Sequence, residues 1–234
     1  MAITRKTNGM RMLRYGLYGI SALLLLPYLL TLVYAVVPPP VSTMMIWKKL
    51  EGNPIDYQWR PLSDTSQNLV RSVVTAEDTR ICEHNGVDWN VLTDVVKEAV
   101  NNEGGARRGG STITQQVAKN LFLWPSRSYI RKALELPLAL WIDLVWSKRR
   151  IVEVYINIAE WAPGIYGAEA AAQHHFNKSG KSMTKAQAAQ LAAALPNPVV
   201  RDAGKPGPQV RAKARTIRKR VNSTLPYLEC LGLE

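Results

Sequence analysis

The chain is organised around one stretch, Gly109-Gly110-Ser111-Thr112-Ile113-Thr114-Gln115-Gln116-Val117-Ala118-Lys119-Asn120-Leu121. Its two leading glycines leave the backbone free to turn sharply. Ser111 or Thr112 can then cap a helix, and no helix breaker follows before Leu121. A capped helix start carries unpaired backbone N–H groups and a partial positive charge, which favour an anionic ligand. The stretch therefore predicts a loop-to-helix junction with a polar face.

Basic residues follow this junction closely, with Lys119 in the predicted helix and Arg127, Arg131 and Lys132 after it. Glu135 comes four residues after Arg131, so the two share one helix face. This acid has two interpretations: it binds a divalent cation, or it holds the neighbouring bases toward a diphosphate. The residues themselves leave both open.

Two adjacent acids, Glu77 and Asp78, stand at the end of another predicted helix. Ser63 or Asp64 is expected to cap that helix, whose apolar residues recur at helical spacing between 69 and 74. Most acid pairs of this kind are simply solvated. In a partly desolvated cleft, however, a glutamate can take a proton from a sugar hydroxyl. Glu77 is therefore a candidate general base.

The charge pattern predicts a membrane anchor. The chain carries 30 basic and 18 acidic residues, a net charge of +12, which favours a membrane surface, a phosphorylated substrate or nucleic acid. Residues 1–14 hold bases and no acid, and residues 15–37 hold no charge, which is long enough for a bilayer span with its N-terminus in the cytoplasm. A cleavable signal peptide is the alternative, but the apolar run is longer than a normal signal core. Everything after residue 40 is then outside the cytoplasm, which argues against nucleic acid.

The rest of the chain predicts a mainly α-helical domain, because strand-like alternation is nearly absent. Pro137 is expected to kink or split its helix. Cys82 and Cys230 lie on the oxidising side of the membrane, where a disulfide is an alternative. Two separate thiols are the expectation, since a domain of this size needs no covalent staple.

Five ordered motifs between residues 65 and 198 carry a resemblance to a known family. E-D-x-x-F-x-x-H-x-G-x-D is matched by residues 77–88, with Ile81 in place of Phe, and G-G-S-T-I-T-Q-Q-x-x-K-N by residues 109–120. R-K-x-x-E, K-x-x-I-x-E-x-Y-x-N and G-x-x-G-x-E-A-A are matched by residues 131–135, 148–157 and 164–171. In this set and order the chain resembles the monofunctional biosynthetic peptidoglycan glycosyltransferases, glycosyltransferase family 51.

The resemblance implies a mainly α, lysozyme-like catalytic domain with a small membrane-facing jaw, preceded by one transmembrane helix. It divides the chain into a cytoplasmic basic tail (1–14), a transmembrane anchor (15–37), a juxtamembrane linker or jaw (38–60) and a glycosyltransferase domain (61–234). The reaction that it implies is polymerisation of lipid II into glycan strands during cell wall synthesis. Transfer inverts the anomeric carbon and releases undecaprenyl diphosphate.

The same resemblance assigns roles to individual residues. Glu77 matches the general base, and Glu135 matches a second catalytic acid that is also the candidate metal ligand. The residues expected to bind the donor diphosphate are Lys119, Arg127, Arg131 and Lys132. Those expected to line or support the cleft are Asp78, His84, Ser111, Thr112, Gln115, Gln116, Asn120 and Glu153.

Cofactors, partners and location follow from the resemblance too. It allows a divalent cation, Mg²⁺ or Mn²⁺, and no organic cofactor is expected. The expected partners are lipid II, the growing lipid-linked glycan, the membrane, and division or elongation synthases, without nucleic acid. The location implied is the bacterial cytoplasmic (inner) membrane, crossed once, with the N-terminus in the cytoplasm and the catalytic domain in the periplasm.

Two other functions remain open at this point. A lytic or hydrolytic muramidase would use Glu77 as an acid rather than a base. The bases between Lys119 and Lys132 argue against it, since hydrolysis needs no cationic cleft. A membrane-tethered, non-catalytic partner of the division machinery is the second alternative, and it would tolerate Glu77→Gln.

Overall fold

The computed structural model describes residues 3–101, 109–126 and 128–233. The chain divides into two units, residues 1–37 and residues 38–234. The first contains helix α1 (Ile3–Tyr34), whose segment Gly9–Tyr34 is apolar and long enough to cross a bilayer. Pro27 lies inside α1 without ending it. This is the helix expected of the predicted anchor.

The second unit is helical, with one small sheet. Its helices are α2 (Thr43–Leu50), α3 (Gln67–Glu77), α4 (Trp89–Asn101), α5 (Ile113–Phe122), α6 (Tyr129–Val145), α7 (Lys148–Ile158), α8 (Ala168–Phe176), α9 (Lys185–Ala194) and α10 (Pro208–Thr224). The strands are β1 (Asp56–Tyr57), β2 (Glu160–Ala162) and β3 (Ile165–Tyr166), in the order β1-β3-β2. Short 3-10 turns occupy Leu62–Asp64, Gly180–Ser182 and Leu225–Leu231.

The core of this unit forms where α3 packs on α9, with α10 against both, and where α5 packs between α6 and α7. Val73 and Val74 of α3 are fully buried, as their helical spacing predicts. The facing side of α9 is built from buried alanines, including Ala188 and Ala192, whose small side chains let the two helices approach closely. The organising helix α5 therefore has packed helices on both sides.

Residues before 61 contribute to this unit as well. Ser42 caps α2 by accepting from the Met45 amide, and α2 packs against α5. Strand β1 pairs in parallel with β3, with Asp56 opposite Ile165. The sequence sets the start of the domain at residue 61, whereas the structure groups residues 38–234 in one unit, because these backbone pairings join distant parts of the chain.

Two details of the predicted helices are wrong. Neither Ser63 nor Asp64 caps α3, because Leu62–Asp64 forms a separate 3-10 turn and Ser66 occupies the cap position. Pro137 does not split its helix, since α6 runs without interruption from Tyr129 to Val145, and a kink at Pro137 stays a prediction. Burial of the apolar side of α6 stabilises the helix and offsets the one backbone hydrogen bond that a proline removes.

At two positions, close contacts in the structure explain why the residue is a glycine, which the sequence did not reveal. Gly86 has φ +79°, and a Cβ there would lie 2.6 Å from the carbonyl oxygen of Ala139. The φ of Gly110 lies outside the left-handed region, and a Cβ there would lie 3.0 Å from a methyl group of Val95. Close packing against α4 is therefore one reason for a glycine at this position.

The two cysteines form a disulfide, which corrects the expectation of separate thiols. Cys82 lies in the loop after α3, and Cys230 lies in the 3-10 turn Leu225–Leu231, with Cα atoms 5.8 Å apart. They are 148 residues apart in sequence, so only the packing of the C-terminal segment beside this loop brings them together. The disulfide attaches that segment to the loop that follows Glu77.

Candidate active site

Glu77 is the last residue of α3 and is half-buried. Its Oε2 accepts a hydrogen bond of 3.0 Å from the Nε2 amide of Gln116 on α5. The Oε1 of Gln116 accepts in turn from the hydroxyl of Tyr155 on α7, at 3.1 Å. Three helices therefore meet at this carboxylate, and each contributes one member of a hydrogen-bonded chain.

Asp78, the next residue, ties the loop after α3 to the start of α5. Its buried carboxylate accepts from the backbone amide of Ile113 at 2.9 Å and contacts the Nε2 of His84 at 2.9 Å. The start of α5 leaves amides unpaired and carries partial positive charge, so a carboxylate there is stabilising. Asp78 and His84 thus support the site rather than line the cleft.

The predicted cap of α5 is present, and Thr112 forms it. Thr112 and Gln115 make a reciprocal capping box, in which the Thr112 hydroxyl accepts from the Gln115 amide and the Gln115 side chain accepts from the Thr112 amide. The Thr112 hydroxyl also donates to the carbonyl oxygen of Gly86 at 2.6 Å. Both side chains are buried, so they hold the helix in place and do not line the cleft.

Lys119 is the cation of α5 that reaches the cleft. Its side chain is half-buried, and burial is the main reason that the pKa of Lys119 is lowered from its ordinary value. The carboxylates of Glu135 and Glu77 raise this pKa. Arg131 and Lys132 lower it further, since they are like charges. Lys119 therefore lies within electrostatic range of both candidate acids.

Glu135 is buried in α6 and fully engaged by cations. One carboxylate oxygen forms an ion pair with Arg131, and the other forms one with Lys132. Arg131 also donates to the carbonyl oxygen of Ser126, and Lys132 donates to the hydroxyl of Ser111 at 3.0 Å. The geometry thus favours the second interpretation of this acid, in which it holds two bases in place.

A cation held by protein ligands alone does not fit this donor set. Both oxygens of Glu135 are occupied, and residues 3–101, 109–126 and 128–233 contain no cluster of three or more histidine, cysteine or acidic side chains that could hold a metal ion. Divalent magnesium and manganese prefer several oxygen ligands. The positive charge that the described residues bring to this site comes from lysine and arginine.

An open cleft of about 670 Å³ lies over these residues. It extends from α2 across α5 and α6 to α7 and the strands. The polar and aromatic side chains that line it include Lys48, Gln116, Lys119, Asn120, Ser126, Arg131, Tyr155, Glu160 and Tyr166. A cleft of this size and polarity suits an elongated polar ligand that carries negative charge.

The predicted site residues that the structure describes fall into three groups. Gln116, Lys119, Asn120 and Arg131 line the cleft, and Glu77 lies behind this lining, hydrogen-bonded to Gln116. Those that support it by hydrogen bonds or ion pairs are Asp78, His84, Ser111, Thr112, Gln115, Lys132 and Glu135. Glu153 pairs with Arg150 and accepts from the Leu62 amide, which anchors the turn before α3 instead. Arg127 lies outside the described residues.

Sequence reasoning missed several residues of the site. Tyr155 belongs to the fourth motif, but nothing in its spacing from Glu77 indicates a shared hydrogen-bond chain. Lys213 of α10 is half-buried; burial lowers its pKa and the charge of Glu77 raises it, which places this lysine within range of the carboxylate. Lys48 of α2 lines the cleft from the segment that was expected to be a juxtamembrane linker or jaw. All three come from elements that only packing brings together.

The fold and the site define a class: a membrane-anchored helical enzyme with a half-buried carboxylate beside a cationic cleft, a glycosyltransferase. The transglycosylase family model matches residues 45–225. The chain belongs to that family, and its helical domain has the lysozyme-like glycosyltransferase fold, as the motifs predict.

Relatives of similar length agree with this assignment. The biosynthetic peptidoglycan transglycosylase of Nitrobacter winogradskyi is 52% identical over 214 residues, which cover 91% of this chain and 93% of the relative. Those of Agrobacterium fabrum and Rhizobium leguminosarum bv. trifolii are 50% and 48% identical, over 90% and 94% of this chain and 92% and 94% of the relatives.

Proposed function

We propose that this protein polymerises lipid II into the glycan strands of peptidoglycan, with the growing lipid-linked strand as donor. The observation that carries the proposal is the position of Glu77: a half-buried carboxylate, to which the described residues donate on one oxygen only, within electrostatic range of Lys119 beside a cationic cleft. A base is needed at the acceptor and positive charge at the leaving group, and this site supplies both.

The proposed step balances without an added acid. The 4-hydroxyl oxygen of the acceptor sugar attacks the anomeric carbon of the donor, and Glu77 accepts the hydroxyl proton. The bond from the anomeric carbon to the diphosphate oxygen breaks, and undecaprenyl diphosphate leaves as an anion with inversion at the carbon. Lys119 and Arg131 stabilise that anion, and Glu135 holds Arg131 and Lys132 in place for it.

We also propose an orientation, with the N-terminus in the cytoplasm and the enzyme domain outside it. The bases before the apolar segment support this orientation. The Cys82–Cys230 disulfide supports it independently, because disulfides persist in the periplasm and not in the cytosol. Protease added to spheroplasts should therefore degrade the domain, whereas protection of the domain would contradict the orientation.

The product also suggests the class of partner. Glycan strands leave this reaction without cross-links, so enzymes that join their peptide stems must act next. Division or elongation synthases are therefore the partners that we propose.

The decisive experiment incubates the full-length, detergent-solubilised protein with lipid II and measures polymer and released undecaprenyl diphosphate. We expect polymer from the wild type and a loss of about 1000-fold in Glu77→Gln. The matched control is Glu83→Gln, an exposed carboxylate in the neighbouring loop, which should keep full activity.

Each alternative has its own outcome in that experiment. Fragments released from intact sacculi without any polymer would identify a muramidase. A wild type that neither builds nor cleaves glycan would identify a non-catalytic partner. Full turnover in Glu77→Gln would remove Glu77 as the base while leaving the reaction itself in place.

A further inference from the structure

We infer that Tyr155 is a positioning residue of the proposed reaction, which acts through Gln116 to reserve one oxygen of Glu77, Oε1, for the acceptor hydroxyl. The inference rests on the proposed function, and no motif or charge pattern in the sequence leads to it. Tyr155 is buried and lies at the edge of the cleft.

The direction of each hydrogen bond follows from which groups can donate. Tyr155 can donate its phenolic proton to the Oε1 of Gln116, at 3.1 Å. That contact leaves the Nε2 amide of Gln116 facing the carboxylate of Glu77, at 3.0 Å. The reversed amide would place its oxygen against the carboxylate of Glu77, which only accepts, so Glu77 excludes that orientation. By donating to Oε1, Tyr155 holds Gln116 in the remaining orientation, with the amide donor on the carboxylate.

The phenol stays a donor at every pH at which the enzyme would work. Burial is the main reason that the pKa of Tyr155 lies well above its ordinary value, and the carboxylates of Glu77 and Asp78 raise it further. A permanent donor is what this position needs, because a phenolate would accept the amide and release the carboxylate.

The consequence for Glu77 is that its two oxygens become inequivalent. Oε2 is bound by Gln116, whereas Oε1 has no hydrogen-bond partner among the residues that the structure describes. A general base needs an oxygen with a free lone pair directed at the substrate proton. Oε1 is therefore the atom that receives the proton, and the chain from Tyr155 fixes its direction.

Titratable groups lie near Glu77 in four parts of the chain. Asp78 follows it in sequence, and Lys119 of α5 and Lys213 of α10 lie within electrostatic range. Tyr155 faces it from α7 as a neutral donor. Removing the phenolic hydroxyl leaves all of these charges in place, so any change in the pH profile reports the lost orientation of Gln116.

The first experiment compares Tyr155→Phe with the wild type in lipid II polymerisation across a pH range. We expect kcat to fall about tenfold with KM unchanged, because orientation is lost and binding is not. The acidic limb of the profile should move to higher pH, since a carboxylate that loses an amide donor holds its proton more tightly. The matched control is Tyr57→Phe. It removes a partly buried hydroxyl that donates to the carbonyl oxygen of Pro39 at 2.8 Å, and it should change neither kcat nor the pH profile.

The second experiment is a double-mutant cycle with Gln116→Ala. If Tyr155 acts through Gln116, then Tyr155→Phe should add less than about twofold to the loss already caused by Gln116→Ala. Gln116→Met removes both hydrogen bonds while keeping the tyrosine intact, and it should reproduce the shifted acidic limb. This variant tests the inference even if Tyr155→Phe lowers the Tm too far for kinetics.

Each outcome decides one claim. Additive losses in the cycle, or wild-type kcat and profile in both Tyr155→Phe and Gln116→Met, would overturn the role of Tyr155 while leaving lipid II polymerisation intact. A wild type that makes no polymer would instead refute the proposed function, so the two failures are distinguishable.

Discussion

The end of α3 and the middle of α6 each present a glutamate to the same site, yet their surroundings differ. Glu77 is half-buried, has one oxygen bound by an uncharged amide and keeps the other without a described partner. Glu135 is buried, and both of its oxygens form ion pairs with Arg131 and Lys132. In the reaction that we propose, the first carboxylate exchanges a proton and the second holds the neighbouring cations. The difference teaches that environment, not residue type, divides the roles.

The sharpest way to test this comparison is to convert each acid to its amide and measure turnover. Glu77→Gln should lose about 1000-fold in kcat with no fall in Tm, because only proton transfer is removed. Glu135→Gln should lower kcat by less, since the cations that it holds remain in the protein, and should also raise KM for the lipid-linked donor. Equal losses of kcat in the two variants would show that the carboxylates do not differ in role.

The second test concerns stability. Glu135→Gln leaves Arg131 and Lys132 without their buried counter-charge, so the free energy of unfolding should fall by about 3 kcal/mol. Thermal unfolding of the solubilised protein measures this. Glu51→Gln is the control, since Glu51 forms an exposed pair with Lys48 and should change stability by less than about 0.5 kcal/mol. If Glu135→Gln leaves the free energy of unfolding unchanged, the ion pairs contribute little to stability.

The third test uses the lowered pKa of Lys119, whose main cause is burial. When the pH rises through that pKa, the cleft loses a positive charge. Turnover should therefore begin to fall at a pH below about 10.4, the ordinary pKa of lysine. In Lys119→Arg the guanidinium stays charged, and the alkaline limb of the pH profile should move to higher pH. Lys181→Arg, at an exposed ion pair with Asp64, should leave the limb in place. An unmoved limb in Lys119→Arg would assign it to another group.

The smallest effect is expected at an exposed contact between α6 and the segment just before α5. Lys132 donates to the Ser111 hydroxyl at 3.0 Å, at the surface. Ser111→Ala should change the free energy of unfolding by less than about 0.5 kcal/mol and KM by less than about twofold. A loss above about 1 kcal/mol in thermal unfolding would show that this contact, and not Glu135 alone, fixes Lys132.

Predictions from the sequence succeeded where the cause is local. The cap by Thr112 and the end of α3 at Glu77 depend on neighbouring residues, and both are present. The pairing of Arg131 with Glu135 follows from helical spacing. The assignments that failed, the cap of α3 by Ser63 or Asp64 and the split at Pro137, depend on packing that overrides local preference.

The sequence by itself determined the helical class, the membrane anchor and the residue types of a cationic cleft, because charge, apolar periodicity and capping act between near neighbours. Only the tertiary structure decided that Tyr155 orients Gln116, that Lys48 and Lys213 approach the site, and that Cys82 bonds Cys230. These contacts join residues tens to more than a hundred positions apart. Their geometry is set by how whole helices pack, which no local pattern encodes.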